Sequence, residues 1–208
     1  IPGRKLFDIG KGLPDDAVIE IEKKDEGKLQ IESKKSKFTL SVLDAKTFPM
    51  MENLDEASTE ITLNSSDVKD VINKTAFAMA QQDVRYYLNG LFIKIANNDL
   101  IGVATDGHRL AKAGTSIDTP AENELSAIVP RKGVIEIDKQ IEEDKKLKVV
   151  ISKNHMQVES GEATAITKLI DGKFPDYEKV IPKDSDKTIT VDCKTFKEAL
   201  VRASILSN

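Results

Sequence analysis

A short word written early in this chain is written again about 127 residues later. Leu29-Gln30-Ile31-Glu32-Ser33, followed by Phe48-Pro49, returns as Met156-Gln157-Val158-Glu159-Ser160, followed by Phe174-Pro175. Pro2-Gly3-Arg4-Lys5-Leu6-Phe7-Asp8-Ile9 lines up with Pro130-Arg131-Lys132-Gly133-Val134-Ile135-Glu136-Ile137, and Ile61-Thr62-Leu63 with Ile189-Thr190-Val191. Degenerate words rarely keep a common register by chance, so the chain reads as copies of one domain-sized module. Residues 59–186 form a complete copy, residues 1–58 the back half of a preceding one, and residues 187–208 the opening of a third. A start in mid-module without an initiator Met, and a stop inside a helix, predict a fragment of a longer protein. Three whole modules at this period require roughly 380 residues.

Hydrophobic residues make up 39% of the chain, enough for packed cores. The single cysteine, Cys193, forms no internal disulfide, which fits a reducing compartment. No long apolar run and no basic-then-apolar leader occurs, so neither a membrane span nor a secretion signal is supported.

Net charge is −4, which taken alone argues against a nucleic-acid partner. Its distribution argues otherwise. Helices predicted over 3–13, 66–80, 130–142 and 193–206 carry eleven Lys or Arg against seven Asp or Glu, a net of +4 that leaves −8 for the remainder. Positive helices on negative strands and loops can present one basic face, although Lys and Arg also favour solvated helix faces for local reasons.

Val68, Val71, Ile72, Thr75, Ala76 and Met79 recur at helical spacing behind the capping candidates Ser65 and Ser66. Phe196, Ala199, Leu200 and Ala203 mark the mate of that helix, and Pro130 suits a first helical turn. Strand patterns fill the intervals: 91–95, 100–104 and 109–113 in one half of the complete module, 149–151, 157–159 and 164–167 in the other. Each half reads as strand, helix, three strands. Repetition of that unit predicts an α+β architecture of antiparallel sheets with helices on one face. Residues 50–58 and 182–188 read as linkers.

Catalytic equipment is scarce. His108 and His155 have no metal-type spacing, Cys193 has no matched base, and Gly10-Lys11-Gly12 suits a helix end better than a phosphate loop. No catalytic residue, metal or cofactor is therefore expected. One constellation stands out, Thr105-Asp106-Gly107-His108-Arg109-Leu110-Ala111 between two predicted strands. Its Asp-Gly pair alone fits a type I′ hairpin turn; acid–base work by Asp106 and His108 would need a third, orienting group.

That word, with Gln82-Asp83-Val84-Arg85-Tyr86-Tyr87-Leu88-Asn89-Gly90 before it and Val129-Pro130-Arg131-Lys132-Gly133 and Phe174-Pro175-Asp176-Tyr177 after it, resembles the bacterial sliding clamps, the beta subunits of DNA polymerase III. The resemblance runs in order through essentially the whole chain. It implies the DNA clamp fold, with residues 1–58 as the C-terminal half of clamp domain 1, 59–186 as clamp domain 2 and 187–208 as the start of clamp domain 3. It implies a non-catalytic processivity factor of the cytoplasm: a head-to-tail homodimeric ring, helices lining its hole, that tethers the replicative polymerase to duplex DNA. Helix-borne cations facing phosphates would attract DNA without reading its sequence.

The resemblance further implies a groove, between domains 2 and 3, for short peptides of polymerase and clamp-loader subunits. Its matching positions here are Leu88, Thr105, Gly107, His108, Arg109, Leu110, Pro175 and Val180, with Lys179 where many relatives have Arg, keeping charge but not the planar guanidinium. DNA-facing candidates are Arg4, Lys5, Gln82, Arg85, Tyr86, Tyr87, Arg131 and Lys132, although the tyrosine pair suits core packing equally. If that pair lies on a strand, its two rings face opposite ways. Ring closure between domains 1 and 3 points to Phe38, Ile205 and Leu206. An enzyme acting on a small ligand and a plain peptide-binding scaffold are the competing readings; a catalytic cluster converging in the fold would favour the enzyme.

Overall fold

The computed structural model describes residues 1–24, 27–48, 58–118, 124–183 and 185–206. It divides into two compact units, Ile1–Asn53 and Leu54–Asn208. Of the two predicted linkers, 50–57 and residue 184 lie outside the described residues.

In the first unit a helix, α1 (Gly3–Gly12), precedes three strands, β1 (Glu20–Lys23), β2 (Lys28–Ser33) and β3 (Ser36–Ser41). These pair antiparallel in the order β1-β2-β3. Its buried apolar side chains among the described residues are Ile31 and Leu40, and α1 buries none.

The second unit contains the complete module: β4 (Thr59–Asn64), α2 (Ser65–Thr75), β5 (Gly90–Ala96), β6 (Asp99–Thr105), β7 (Leu110–Ser116), β8 (Leu125–Pro130), α3 (Arg131–Gln140), β9 (Lys146–Ile151), β10 (His155–Ser160) and β11 (Ala163–Lys168). This is the predicted strand-helix-three-strand unit, twice. The halves interlock, because the sheets run β11-β10-β9-β4 and β7-β6-β5-β8, so that the first strand of each half pairs with the other half's strands. Both sheets are antiparallel.

Alternation in β5 assigns its two faces. Leu91, Ile93 and Ile95 enter the main core, while Phe92 points to a second apolar cluster on the opposite face. The main core is closed by Val68, Val71 and Ile72 of α2 and by Val134 and Ile137 of α3. The two helices touch: α2 lies against β4, β6 and β7, and α3 against β5, β8 and β11. Each fully buried Leu or Ile here contributes about 1.5–3 kcal/mol. Gly102 on β6 allows α2 to come this close, since a Cβ there would collide with Val71 Cγ1.

The repeat is visible atom by atom. Ile31 and Val158 are both buried, Lys34 and Gly161 both turn through positive φ, and Gln30 Nε2 donates to Glu32 Oε1 (2.5 Å) as Gln157 Nε2 donates to Glu159 Oε1 (2.6 Å).

Two expectations need correction. The helix predicted over 66–80 ends at Thr75, whose Oγ1 donates to Val71 O (2.6 Å), and a 3₁₀ turn follows over Ala76–Ala78. Arg131 Nη1, placed by α3, donates to two carbonyls there, Ala76 O (3.5 Å), which also accepts from Met79 N (3.3 Å), and Met79 O (3.4 Å). Ile189-Thr190-Val191, the mate of β4, is not a strand: β4 is held by β9, and the described residues after 187 supply no such partner. The helical charge excess persists on the observed elements: α1 and α4 (Cys193–Ser204) each carry three Lys or Arg against one acid, and pairs form along the helices between Arg4 and Asp8 (3.4 Å), Lys74 and Asp70 (2.7 Å), and Lys139 and Glu136 (2.9 Å). Asp192 caps α4 by accepting from Thr195 N (2.8 Å), and α4 buries no residue.

Candidate functional site

On the face of β7-β6-β5-β8 turned away from α2 and α3, a second apolar cluster gathers Ala80, Leu88, Val103, Ile128 and Phe174, with Tyr87, Phe92, Leu110, Ile170 and Tyr177 half-buried around it. A groove of about 380 Å³ opens beside this cluster. Its lining is Arg85, Tyr87, Leu88, Thr105, Gly107, His108, Arg109, Leu110, Pro175, Tyr177 and Val180. All eight positions that the resemblance gave as Leu88, Thr105, Gly107, His108, Arg109, Leu110, Pro175 and Val180 therefore converge, although they are scattered over three separate stretches of chain.

Three segments build the walls. The first is a 3₁₀ turn over Tyr86–Leu88, entered through Asp83 and Arg85. Leu88 is only 2% exposed and forms the floor, while Leu88 O accepts from Ala80 N (3.0 Å). Because Tyr86 and Tyr87 belong to this turn and not to a strand, they do not simply alternate: Tyr86 is exposed, Tyr87 is half-buried in the cluster, and their rings meet edge to face at 5.9 Å.

The second wall is the loop between β6 and β7. A type I′ turn needs positive φ at both central residues, but here only Gly107 (φ 88) has it, and the connection is four residues long. Asp106 organises it as an Asx turn: Oδ1 accepts from His108 N (2.9 Å) and Arg109 N (3.0 Å), and Oδ2 from Arg109 Nε (3.0 Å). Thr105 Oγ1 closes the base by donating to Arg109 O (2.7 Å) and accepting from Gly107 N (3.1 Å). The backbone N–H groups of His108 and then of Arg109 hold the Asp106 carboxyl down at about 2. Arg109 extends over the exposed Phe77 ring, 5.7 Å from its centroid.

The third wall runs from Phe174 to Val180. Phe92 stacks on Phe174 (5.0 Å) and meets Tyr177 (6.1 Å); Lys112 of β7 sits over the Tyr177 ring (5.1 Å) and reaches Glu178 Oε1 (3.3 Å). Lys179 does not join the lining: it pairs with Asp176 (2.9 Å).

Arg85, given by the resemblance as a DNA-facing candidate, lines the groove and bridges two walls, donating through Nε and Nη2 to the Asp83 carboxylate (3.0 and 2.9 Å) and through Nη2 to Asp106 O (3.3 Å). Chiefly through the Arg85 side chain, Asp83 is held at about 2. Arg131 is half-buried on its carbonyl partners. Of the other DNA-facing candidates, Arg4 and Lys5 are exposed in the first unit, and Gln82 and Lys132 are exposed in the second. Phe38 is half-buried on β3, while Ile205 and Leu206 are 75% and 92% exposed. Sequence reading did not assign Tyr177 to the site; its place right after Phe174-Pro175-Asp176 was the available signal.

Residues 62–176 match the family model for the central domain of the DNA polymerase III beta subunit, and residues 1–52 match the model for its N-terminal domain. The beta sliding clamp of Pseudomonas putida is 45% identical over 209 residues, covering all of this chain and 56% of that protein. The beta sliding clamp of Escherichia coli K12 is 43% identical over 211 residues, again covering the whole chain and 56% of the relative. In three dimensions the chain superimposes on the DNA polymerase III subunit beta of Pseudomonas aeruginosa with a TM-score of 0.92 at 43% identity, covering all of this chain and 57% of that one. The DNA polymerase sliding clamp of Bacillus subtilis gives 0.89 at 30% identity, covering 99% and 54%. The chain thus spans just over half the length of the relatives it matches.

Proposed function

Because this chain belongs to the DNA polymerase III beta subunit family, we propose that it works as part of a DNA sliding clamp: a non-catalytic processivity factor that holds a replicative polymerase on duplex DNA. The observation that carries this reading is the groove, where an apolar floor of Leu88 and Leu110 meets a rim of Thr105, His108 and Arg109. A few oriented polar groups around an apolar floor suit a short linear peptide with one or two apolar anchors. Polymerase and clamp-loader subunits are the proposed donors of such peptides. Residues 1–58, 59–186 and 187–208 take the places of the second half of clamp domain 1, of clamp domain 2 and of the start of clamp domain 3.

Duplex DNA is the second partner in this reading. Exposed Arg4, Lys5, Gln82, Tyr86 and Lys132 are its proposed contacts, and phosphate contacts without base contacts leave a ring free to slide. Phe38, Ile205 and Leu206 are the proposed surfaces of a head-to-tail homodimer, working in the cytoplasm. No helix among the described residues is long and apolar enough to cross a membrane.

Leu110→Asp tests the groove directly. A carboxylate in the apolar floor loses burial and must be desolvated when a peptide docks. Fluorescence polarisation with a labelled apolar clamp-binding peptide should show saturable binding that weakens at least about tenfold, or about 1.4 kcal/mol, in the variant. Binding unaffected by Leu110→Asp would place the site elsewhere.

A further inference from the structure

Asn89 is absent from the groove lining, yet the segments that support the lining meet on it. Its carboxamide grips the Asp83 backbone from both sides: Oδ1 accepts from Asp83 N (2.9 Å) and Nδ2 donates to Asp83 O (2.9 Å). Its own backbone joins two further elements, donating to Tyr86 O (3.0 Å) and accepting from Arg131 N (3.0 Å) at the start of α3. With its backbone gripped in this way, Asp83 offers its carboxylate to Arg85, whose backbone N donates to Oδ1 (2.8 Å) and whose guanidinium forks onto both oxygens. The same guanidinium reaches Asp106 O and packs against Gly107 so closely that a Cβ there would lie 3.0 Å from both terminal nitrogens. A continuous polar path therefore runs from Asn89 through Asp83 and Arg85 to the loop that carries Gly107, His108 and Arg109.

We propose that Asn89 is a positioning residue for the groove: its carboxamide fixes Asp83, Asp83 aims Arg85, and Arg85 holds the β6–β7 loop in its peptide-receiving shape. This rests on the peptide-groove reading above. The chemistry specifies the residue. One short planar group must accept from an N–H and donate to a C=O at once, which Asn does and Asp, as an ionised acceptor only, does not. An exposed Arg–Asp pair between two free side chains contributes little, because ordering both offsets the attraction. A carboxylate already fixed by its backbone removes part of that cost.

The test combines amide hydrogen exchange with peptide titration on wild type, Asn89→Ala, Asn89→Asp, Arg85→Ala and the Asn89→Ala/Arg85→Ala double variant. Loss of the grip should lower protection at Gly107, His108 and Arg109 about tenfold in both Asn89 variants, with β5 and β6 amides unchanged, and should weaken peptide binding several-fold. The double variant should lose no more than Arg85→Ala alone, because both act along one path; a merely destabilising change would add. Unchanged protection at residues 107–109 in Asn89→Ala, or additive losses in the double variant, would overturn the proposal. Exchange reads positioning without any peptide, so a wild-type chain that binds no peptide overturns the groove reading while the exchange pattern still decides the role of Asn89.

Discussion

Two carboxylates decide the shape of the groove's polar side. Asp83 and Asp106 each gather backbone and guanidinium donors, and each is held at about 2 against an ordinary value of 3.8. A carboxyl whose folded value is depressed contributes stability that is fully present above its unfolded value and is lost as pH falls through its folded one. The β6–β7 loop should therefore be intact at pH 5 and loosen between about pH 4 and about 2. Amide chemical shifts of His108 and Arg109 followed through an acid titration check this, and loosening between pH 7 and 5 would contradict it. At this scale the sequence was only partly legible. Thr105, Gly107 and Leu110 could be named from a resemblance, but Arg85 could not be placed in the groove lining without knowing that its guanidinium spans 21 positions of sequence to reach Asp106. Asn89 falls within the resembling word, but nothing in that word tells what it does, because it bonds a backbone whose path the fold decides.

Among the elements, the contact between α2 and β6 shows why local pattern succeeds in the core and fails at ends. The stripe of Val68, Val71, Ile72 and Thr75 was readable because a helix that buries one face must repeat its apolar residues every three or four positions. Where that helix stops was not, since its end is set by Thr75 turning onto Val71 O and by Arg131 arriving from a distant strand–helix junction. Gly102 offers a quantitative check. A side chain there has to displace Val71, whereas a Cβ on Gly114 of the neighbouring strand meets only ordinary contacts at 3.5 Å. Gly102→Val should destabilise the second unit by about 1–3 kcal/mol through overpacking, more than Gly114→Ala does. Urea unfolding measures both, and equal midpoints would show that α2 and β6 have room to separate.

For the molecule as a whole, the repeat supplies its own control. β2 and β10 have the same length, matching sequence and equivalent antiparallel partners, yet β10 lies over a core closed by two helices while β2 belongs to a unit whose described core is Ile31 and Leu40. Small units bury too little of their surface to be stable alone. Amides of Gln30 and Ile31 should accordingly exchange faster than those of Gln157 and Val158; equal rates would show that the first unit draws stability from a source other than its own core. The repeated strand-helix-three-strand unit was readable in the sequence because repeated words survive without any knowledge of contacts. The way β4 and β8 change sheets escaped it, since strand pairing over such separations depends on packing and leaves no local mark.

The groove's role as a peptide site is the claim on which the account turns, and mapping where a peptide lands tests it most directly. An isotope-labelled chain should be titrated with an apolar clamp-binding peptide while its amide resonances are followed. The perturbed amides should cluster at Leu88, Thr105, Gly107, His108, Arg109, Leu110 and Val180 and saturate together with one affinity. Perturbations on β9–β11, or saturable binding that leaves residues 105–110 unmoved, would contradict it.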